Sequence, residues 1–310
     1  MFLAAVFLAF APLTGLGADP APAAAGAHEG VEAAAGHEKA EHGLPANAVK
    51  LRPGGFVSNS MVVTWVVALF LIIFARRAMK NAQEIPSGAQ NFWEWLVESL
   101  YLFLEDIVGS ELVKKTFWFF ASIFIFILFA NWAGLIPGVG TIGWGAKDAT
   151  GHFHIATPLL RGVNADLNMT FAMAIIFFAC WIVWALQVNG PGGFIMHLFG
   201  PKGDTTGVMK ILMIFIFIIV GVLEVVTILF RPVTLSFRLY GNIFAGENML
   251  EAMANLVPAL GWLIPIPFYF LEILVGLVQA LVFMLLTAVF TLLICTHDEE
   301  GHGHGQEKAH

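Results

Sequence analysis

The sequence predicts an all-α polytopic membrane protein. About five helices are embedded in the membrane, one amphipathic helix lies at the cytoplasmic interface, and the last two membrane helices are long and steeply tilted as a hairpin. Three observations predict this. Of the 310 residues, 58% are hydrophobic and 12% charged, whereas soluble domains carry about 25% charged residues. Mean hydropathy is +0.81. Apolar runs of membrane-spanning length recur, and two of them exceed any upright span. The implied surroundings are a lipid bilayer, with no nucleic acid. The formal net charge of −7 says little, because much of the acid sits in the two tails. Cys180 and Cys295, far apart in apolar runs, give neither a disulfide framework nor a metal-ligand spacing and read as packing residues.

Residues 1–17 resemble the apolar core of a secretory signal, with Gly15 and Gly17 small enough for a cleavage site. They lack the usual Lys or Arg near the start, so cleavage and retention both stay open. Residues 18–50 are rich in Ala, Gly and Glu, with His28, His37 and His42 scattered among them. Such a segment cannot bury enough to fold and is expected to be a flexible tail. Residues 297–310, with His302 and His304, form a second His-rich tail, on the cytoplasmic side. For both tails solvated sequence is expected rather than a metal site, and no cofactor is expected.

Residues 51–296 form the membrane domain. A first crossing, 57–74, stops at Arg76, Arg77 and Lys80, which places that end in the cytoplasm and the N-terminal tail outside. Over 89–108, Trp93, Trp95, Leu96 and Leu100 alternate with Glu94, Glu98, Glu105 and Asp106. Acid recurs too often there for a span, so an interfacial amphipathic helix is expected. Lys114 and Lys115 open an outward crossing over 117–135, closed by Pro137-Gly138. The outer loop, 138–163, is Gly-rich, and His152 and His154 lack a clear third ligand for zinc. A surface loop is expected. The crossing at 167–188 returns inward and ends at Asn189-Gly-Pro-Gly-Gly; Lys202 and Lys210 follow on the cytoplasmic side.

Residues 208–256 would extend roughly 70 Å as one helix, against a hydrocarbon layer of about 30 Å. The segment either breaks near Pro232 or runs steeply tilted. Residues 262–295 are also over-long. Joined near Pro258, the two suggest a hairpin lying across the bilayer, which needs another protein surface to lie against. Within it stands Arg238, whose guanidinium cannot shed its proton. Even lenient scales put roughly 2.5–3.5 kcal/mol on an arginine at the centre of a membrane helix.

Glu224, Arg231 and Arg238 are each seven apart, so a helix stacks them with about 20° of drift per step. Asn242 continues that stripe. Glu247, nine beyond Arg238, falls on the opposite face, with Glu251 one turn further; Glu272 and Gln279 share a face of the last helix. Small residues Gly241, Ala245 and Gly246 would let a partner helix approach closely. Internal ion pairs could account for Glu272 or Glu251. They account poorly for Arg238, whose sequence neighbours are Phe237, Leu239, Tyr240 and Gly241. An arginine beside small residues suits a partner presenting a carboxylate, which it would keep ionised. Polar files on either side would then carry protons to and from it.

The run Arg231-Pro-Val-Thr-Leu-Ser-Phe-Arg238-Leu-Tyr-Gly-Asn242-Ile-Phe-Ala-Gly-Glu247 resembles the signature of subunit a of F-type ATP synthases. Gln279-Ala-Leu-Val-Phe-Met-Leu-Leu-Thr is similar to that family's last helix, and the runs from Asn131 to Pro137 and from Asp166 to Thr170 to earlier blocks. The resemblance implies a stator subunit whose tilted helices face the rotating c-ring. Two half-channels would serve the ring carboxylate, Arg238 would keep it ionised and block a leak, and ion flow would drive rotation. By the same resemblance Asn242, Glu247, Glu272 and Gln279 line the outer half-channel, and Glu224 lies nearer the cytoplasmic exit. It implies the c-ring, peripheral stalk b subunits and, indirectly, the F1 sector as partners, in a bacterial inner membrane. Two departures stand out. The position of Glu272 is often histidine, and two nearby carboxylates repel, which suits a group that has to take up protons. Gly134 stands where some members carry an aspartate, and no role is assigned to it.

Two other classes compete. A secondary transporter also has broken helices and intramembrane charges, but it would usually show internal repeats, and none is detected. A membrane-embedded enzyme would need a nucleophile or ligand set near the midplane, and Ser236 beside Arg238 is too little. Without a Gly-x-x-x-x-Gly-Lys-Ser/Thr loop the chain is not expected to be an enzyme by itself, so nucleotide chemistry falls to partners. Whether protons or sodium ions are carried stays open.

Overall fold

The computed structural model describes residues 50, 57–136, 139, 142–147, 153–199, 208–256 and 260–296. Residues 1–49 and 297–310 of the two tails, Pro137-Gly138, His152, Lys202 and Pro258 lie outside these residues. Helix α1 is Asn59–Ala78, α2 is Ala89–Val108 and α3 is Ser110–Gly134. Two short strands follow, β1 (Gly143–Lys147) and β2 (Phe153–Pro158), and then a 3-10 turn at Val163–Ala165. Helices α4 (Leu167–Phe199), α5 (Val208–Leu256) and α6 (Ile266–Thr296) complete the order. Five of the helices, all but α2, are long and apolar enough to cross a membrane by length and composition. The expected all-α membrane domain with one extra amphipathic helix is therefore observed.

Ser58 caps α1, its side chain accepting from the Met61 backbone N–H, and Arg76 and Arg77 occupy the last turn, where a cation complements the helix dipole. In α2 the buried residues Gln90, Trp93, Leu100, Leu104 and Val108 recur at helical spacing and form one stripe. That stripe packs against α1, α3 and α6, while Glu98 and Asp106 are exposed. Gly109, at φ 82°, ends α2 and starts α3. Lys114 and Lys115 thus sit within the first turns of α3 rather than ahead of it.

Three expectations are corrected or sharpened. The outer loop is not wholly irregular: β1 and β2 pair antiparallel, with the register shifting between Trp144 and Gly145. Beyond residue 188 the chain does not pass straight into a loop. It turns at Gly190 (φ 67°, ψ 166°) and resumes as helix through Phe199. Pro191 follows the turn and starts the second piece, where a missing N–H costs nothing. Finally, α5 does not break at Pro232; it runs 49 residues as one helix. An unbroken helix of that length cannot stand upright within about 30 Å of hydrocarbon, so it must tilt or project beyond it.

The core draws on all six helices; in it Phe119 and Phe120 of α3 and Phe177 of α4 are fully buried, and Trp184 meets Phe119 edge-on at 5.6 Å. Helix α5 leans mainly on α4, and α6 on α3, while α5 and α6 touch along a narrower line. That line is antiparallel. Going up α5 from Arg231 to Asn242, the partners on α6 go down from Phe290 to Gln279. Only 17% of the most apolar stretch of α5 is buried, against 61% for α3. Apolar side chains such as Leu223, Phe230 and Phe237 stand exposed on it.

Candidate functional site

At one end of the molecule the starts of α1, α4 and α6 meet the ends of α3 and α5, and polar side chains concentrate there. Ser60 donates its hydroxyl to Asp166 Oδ2 at 2.5 Å. Asp166 Oδ1 accepts from the Asn168 N–H, so the carboxylate caps α4 and ties it to α1. Asn131 donates to the Gly276 carbonyl at 2.9 Å, and its oxygen accepts from Asn164 at 2.6 Å, joining α3, the 3-10 turn and α6. Thr170 and Ser236, both fully buried, share a hydrogen bond of 3.1 Å that fixes α5 on α4.

Inside this frame Glu247 of α5 and Glu272 of α6 line a small cavity of about 10 Å³ with Asn131, Gly134, Leu135 and Ile243. That is room for about one water molecule. The Glu272 carboxylate packs so closely on Gly246 that a β-carbon there would collide with it. A β-carbon at Gly162 would likewise strike Glu247 Oε1. Gly246 therefore does not open the surface to a partner helix as expected; it is buried and seats a carboxylate. Ala245 is exposed and Gly241 partly so. Gly134 borders the same cavity.

One turn below Glu247, Asn242 donates to Gln279 Oε1 at 2.7 Å, with Gln279 buried and Asn242 exposed. The hydrogen bond bridges α5 to α6 between the carboxylate cavity and the open face of α5. Arg238 lies on that open face. It is exposed, makes no hydrogen bond or ion pair among the described residues, and lines an open groove of about 460 Å³ with Thr234, Leu235 and Leu286. Arg231 lines the same groove, its guanidinium 4.4 Å from the Phe290 ring centre and 5.6 Å from that of Trp181. Both lie within reach of a cation–π contact. Glu224, half-buried two turns below Arg231, is the acid whose charge acts on that arginine.

The stripe and the opposite face inferred from spacing are thus separated in space: Arg238 faces outward, Glu247 inward. The structure brings Glu247 to Glu272 and Asn242 to Gln279; Glu224 joins neither pair. Glu251 keeps Oε2 buried without a hydrogen-bond partner among the described residues, so it is no staple of the hairpin. Sequence reasoning missed Arg161, which is 3% exposed and whose charge, with that of Glu272, acts on Glu247. Its signal was available: a basic residue in a loop assigned to the side that disfavours basic residues.

Chemically, two carboxylates beside a one-water cavity can pass a proton between them, while the amide pair below them, which does not titrate, offers polar groups to water or substrate ion towards the open face. A guanidinium on that face supplies a charge that never titrates. The chain is 33% identical over 198 residues to ATP synthase subunit a of Gloeobacter violaceus, covering 64% of this chain and 69% of that one. It is 33% identical over 215 residues to ATP synthase subunit a of Pseudomonas putida, covering 66% and 70%. To the sodium ion specific ATP synthase subunit a of Propionigenium modestum it is 32% identical over 214 residues, covering 67% of this chain and 65% of that relative. The family model of the ATP synthase A chain matches residues 60–291, the whole helical domain from α1 almost to the end of α6, and the chain belongs to that family.

Proposed function

We propose that this chain is the ion-translocating stator subunit of an F-type ATP synthase, offering two half-channels to a carboxylate on a rotating c-ring. The observation that carries the reading is Arg238: a permanent charge on an open, apolar face of α5, with no hydrogen bond or ion pair among the described residues. A charge left there is costly in lipid unless a partner supplies the acid. The ring carboxylate fills that role, and Arg238 keeps it ionised as it passes and blocks a direct leak between the half-channels. Glu247 and Glu272, with Asn242 and Gln279, form the outer half-channel. Glu224 serves the cytoplasmic exit, with Arg231 between it and the gate. The N-terminal tail lies outside, the C-terminus in the cytoplasm, and the membrane is a bacterial inner membrane. Peripheral stalk b subunits hold the chain against the ring. The chain catalyses nothing by itself; nucleotide chemistry belongs to the F1 sector.

The test is ATP-driven acidification of vesicles holding the whole complex, wild type against Arg238→Ala. Pumping lost with the subunits still assembled is the expected result. Normal pumping by the variant would return Arg238 to a structural role. A sodium-carrying variant of the same reading is favoured by one observation, the relative named as sodium ion specific. Pumping in proton-buffered medium that depends on added sodium would select it.

A further inference from the structure

Arg161 has no part in the reading above. It lies in the segment leading into α4 and is buried to 3% exposure. A guanidinium taken out of water costs several kcal/mol unless an acid faces it. Asp166, five residues on, is fixed as the cap of α4, one oxygen holding the Ser60 hydroxyl and the other the Asn168 N–H. Glu247 is different. It packs on Gly162, next in sequence to Arg161. Its Oε2 is buried without a hydrogen-bond partner among the described residues. The charged groups that act on it are Arg161 and Glu272, and the remaining cavity lining is neutral.

We propose that Arg161 is a positioning residue of the outer half-channel, the fixed counter-charge that lets the Glu247–Glu272 pair hold a single mobile proton. With both carboxylates ionised, the three groups carry one net negative charge, and one proton brings them to neutrality. Without Arg161 the same cavity would hold two negative charges and no compensating cation, so a proton taken up would be released only against that charge. This rests on the half-channel reading of Glu247 and Glu272.

ATP-driven acidification by the whole complex in vesicles tests it with Arg161→Gln, Arg161→Lys and Arg161→Gln/Glu272→Gln, subunit content being measured in each. Glutamine alone is expected to slow pumping about tenfold or more, because it leaves buried charge unpaired. Lysine keeps the charge and should hold the rate within about threefold of wild type. The double variant restores the net charge of the cluster and should pump faster than Arg161→Gln. If Arg161→Gln does not assemble, the same order is read in subunit content. Normal pumping by Arg161→Gln, a lysine no better than glutamine, or a double variant no better than the single one overturns the proposal. Arg238→Ala is run alongside. Normal pumping there overturns the gate and this proposal with it, whereas its loss beside normal pumping in Arg161→Gln overturns this proposal alone.

Discussion

Two carboxylates, Glu247 and Glu272, rest against the backbone of glycines, Gly162 and Gly246, and these seats set where the charge sits. At Gly246 the backbone is ordinary helix, so alanine would gain about 1 kcal/mol of helix propensity. Its methyl group would instead run into the Glu272 carboxylate. Overpacking of this kind costs about 1–3 kcal/mol, and here it falls on a group of the proposed ion path rather than on the fold. Gly246→Ala is therefore expected to assemble normally while pumping about tenfold more slowly; pumping at the wild-type rate would show that Glu272 can move aside freely. The sequence named both carboxylates, first by helical spacing and then by the family resemblance. It did not disclose the seats, because a glycine read alone looks the same whether it faces a partner helix or a side chain of its own fold.

Among the elements, α4 and α5 show how local chemistry is accepted or overruled. Gly190 takes a φ of 67° with ψ 166°, a region reserved for residues without a β-carbon. The turn is pinned from outside, since Asn189 donates to the Ile294 carbonyl of α6 at 3.1 Å. Gly190→Ala is expected to cost about 1–3 kcal/mol and to lower the thermal midpoint of the purified complex. Gly192→Ala, where a β-carbon meets open space on a helical backbone, should leave it unchanged or raise it slightly. Equal effects from the two would mean the turn is not under backbone constraint. Pro232 runs the other way. Proline removes a backbone hydrogen bond and usually kinks a helix, yet α5 continues through it. Close by, Leu235, Ser236 and Leu239 are buried, with Ser236 bonded to Thr170 of α4. Packing against α4 holds the axis where propensity alone would break it.

For the whole molecule, the long α5 leaves most of its apolar stretch uncovered by the described residues of its own chain. That face carries Arg238 and, one turn away, exposed Thr234. In the whole complex the ring should cover it. A Thr234→Cys variant is expected to react quickly with a membrane-permeant maleimide when the ring subunit is withheld, and slowly in the assembled complex. Equal reaction in both states would place the partner elsewhere. The sequence by itself determined that the chain lives in a membrane, that it has five long apolar helices and one amphipathic one, and that Arg238 and Glu247 point to opposite sides of one helix. These follow from composition, run length and a period of 3.6 residues, all local properties. Only the tertiary structure decided that α5 passes Pro232 unbroken, that Glu247 meets Glu272 across a cavity of about one water, and that Arg161 is buried beside them. Those depend on which separate segments pack together, and side-chain periodicity along one helix carries no information about its neighbour.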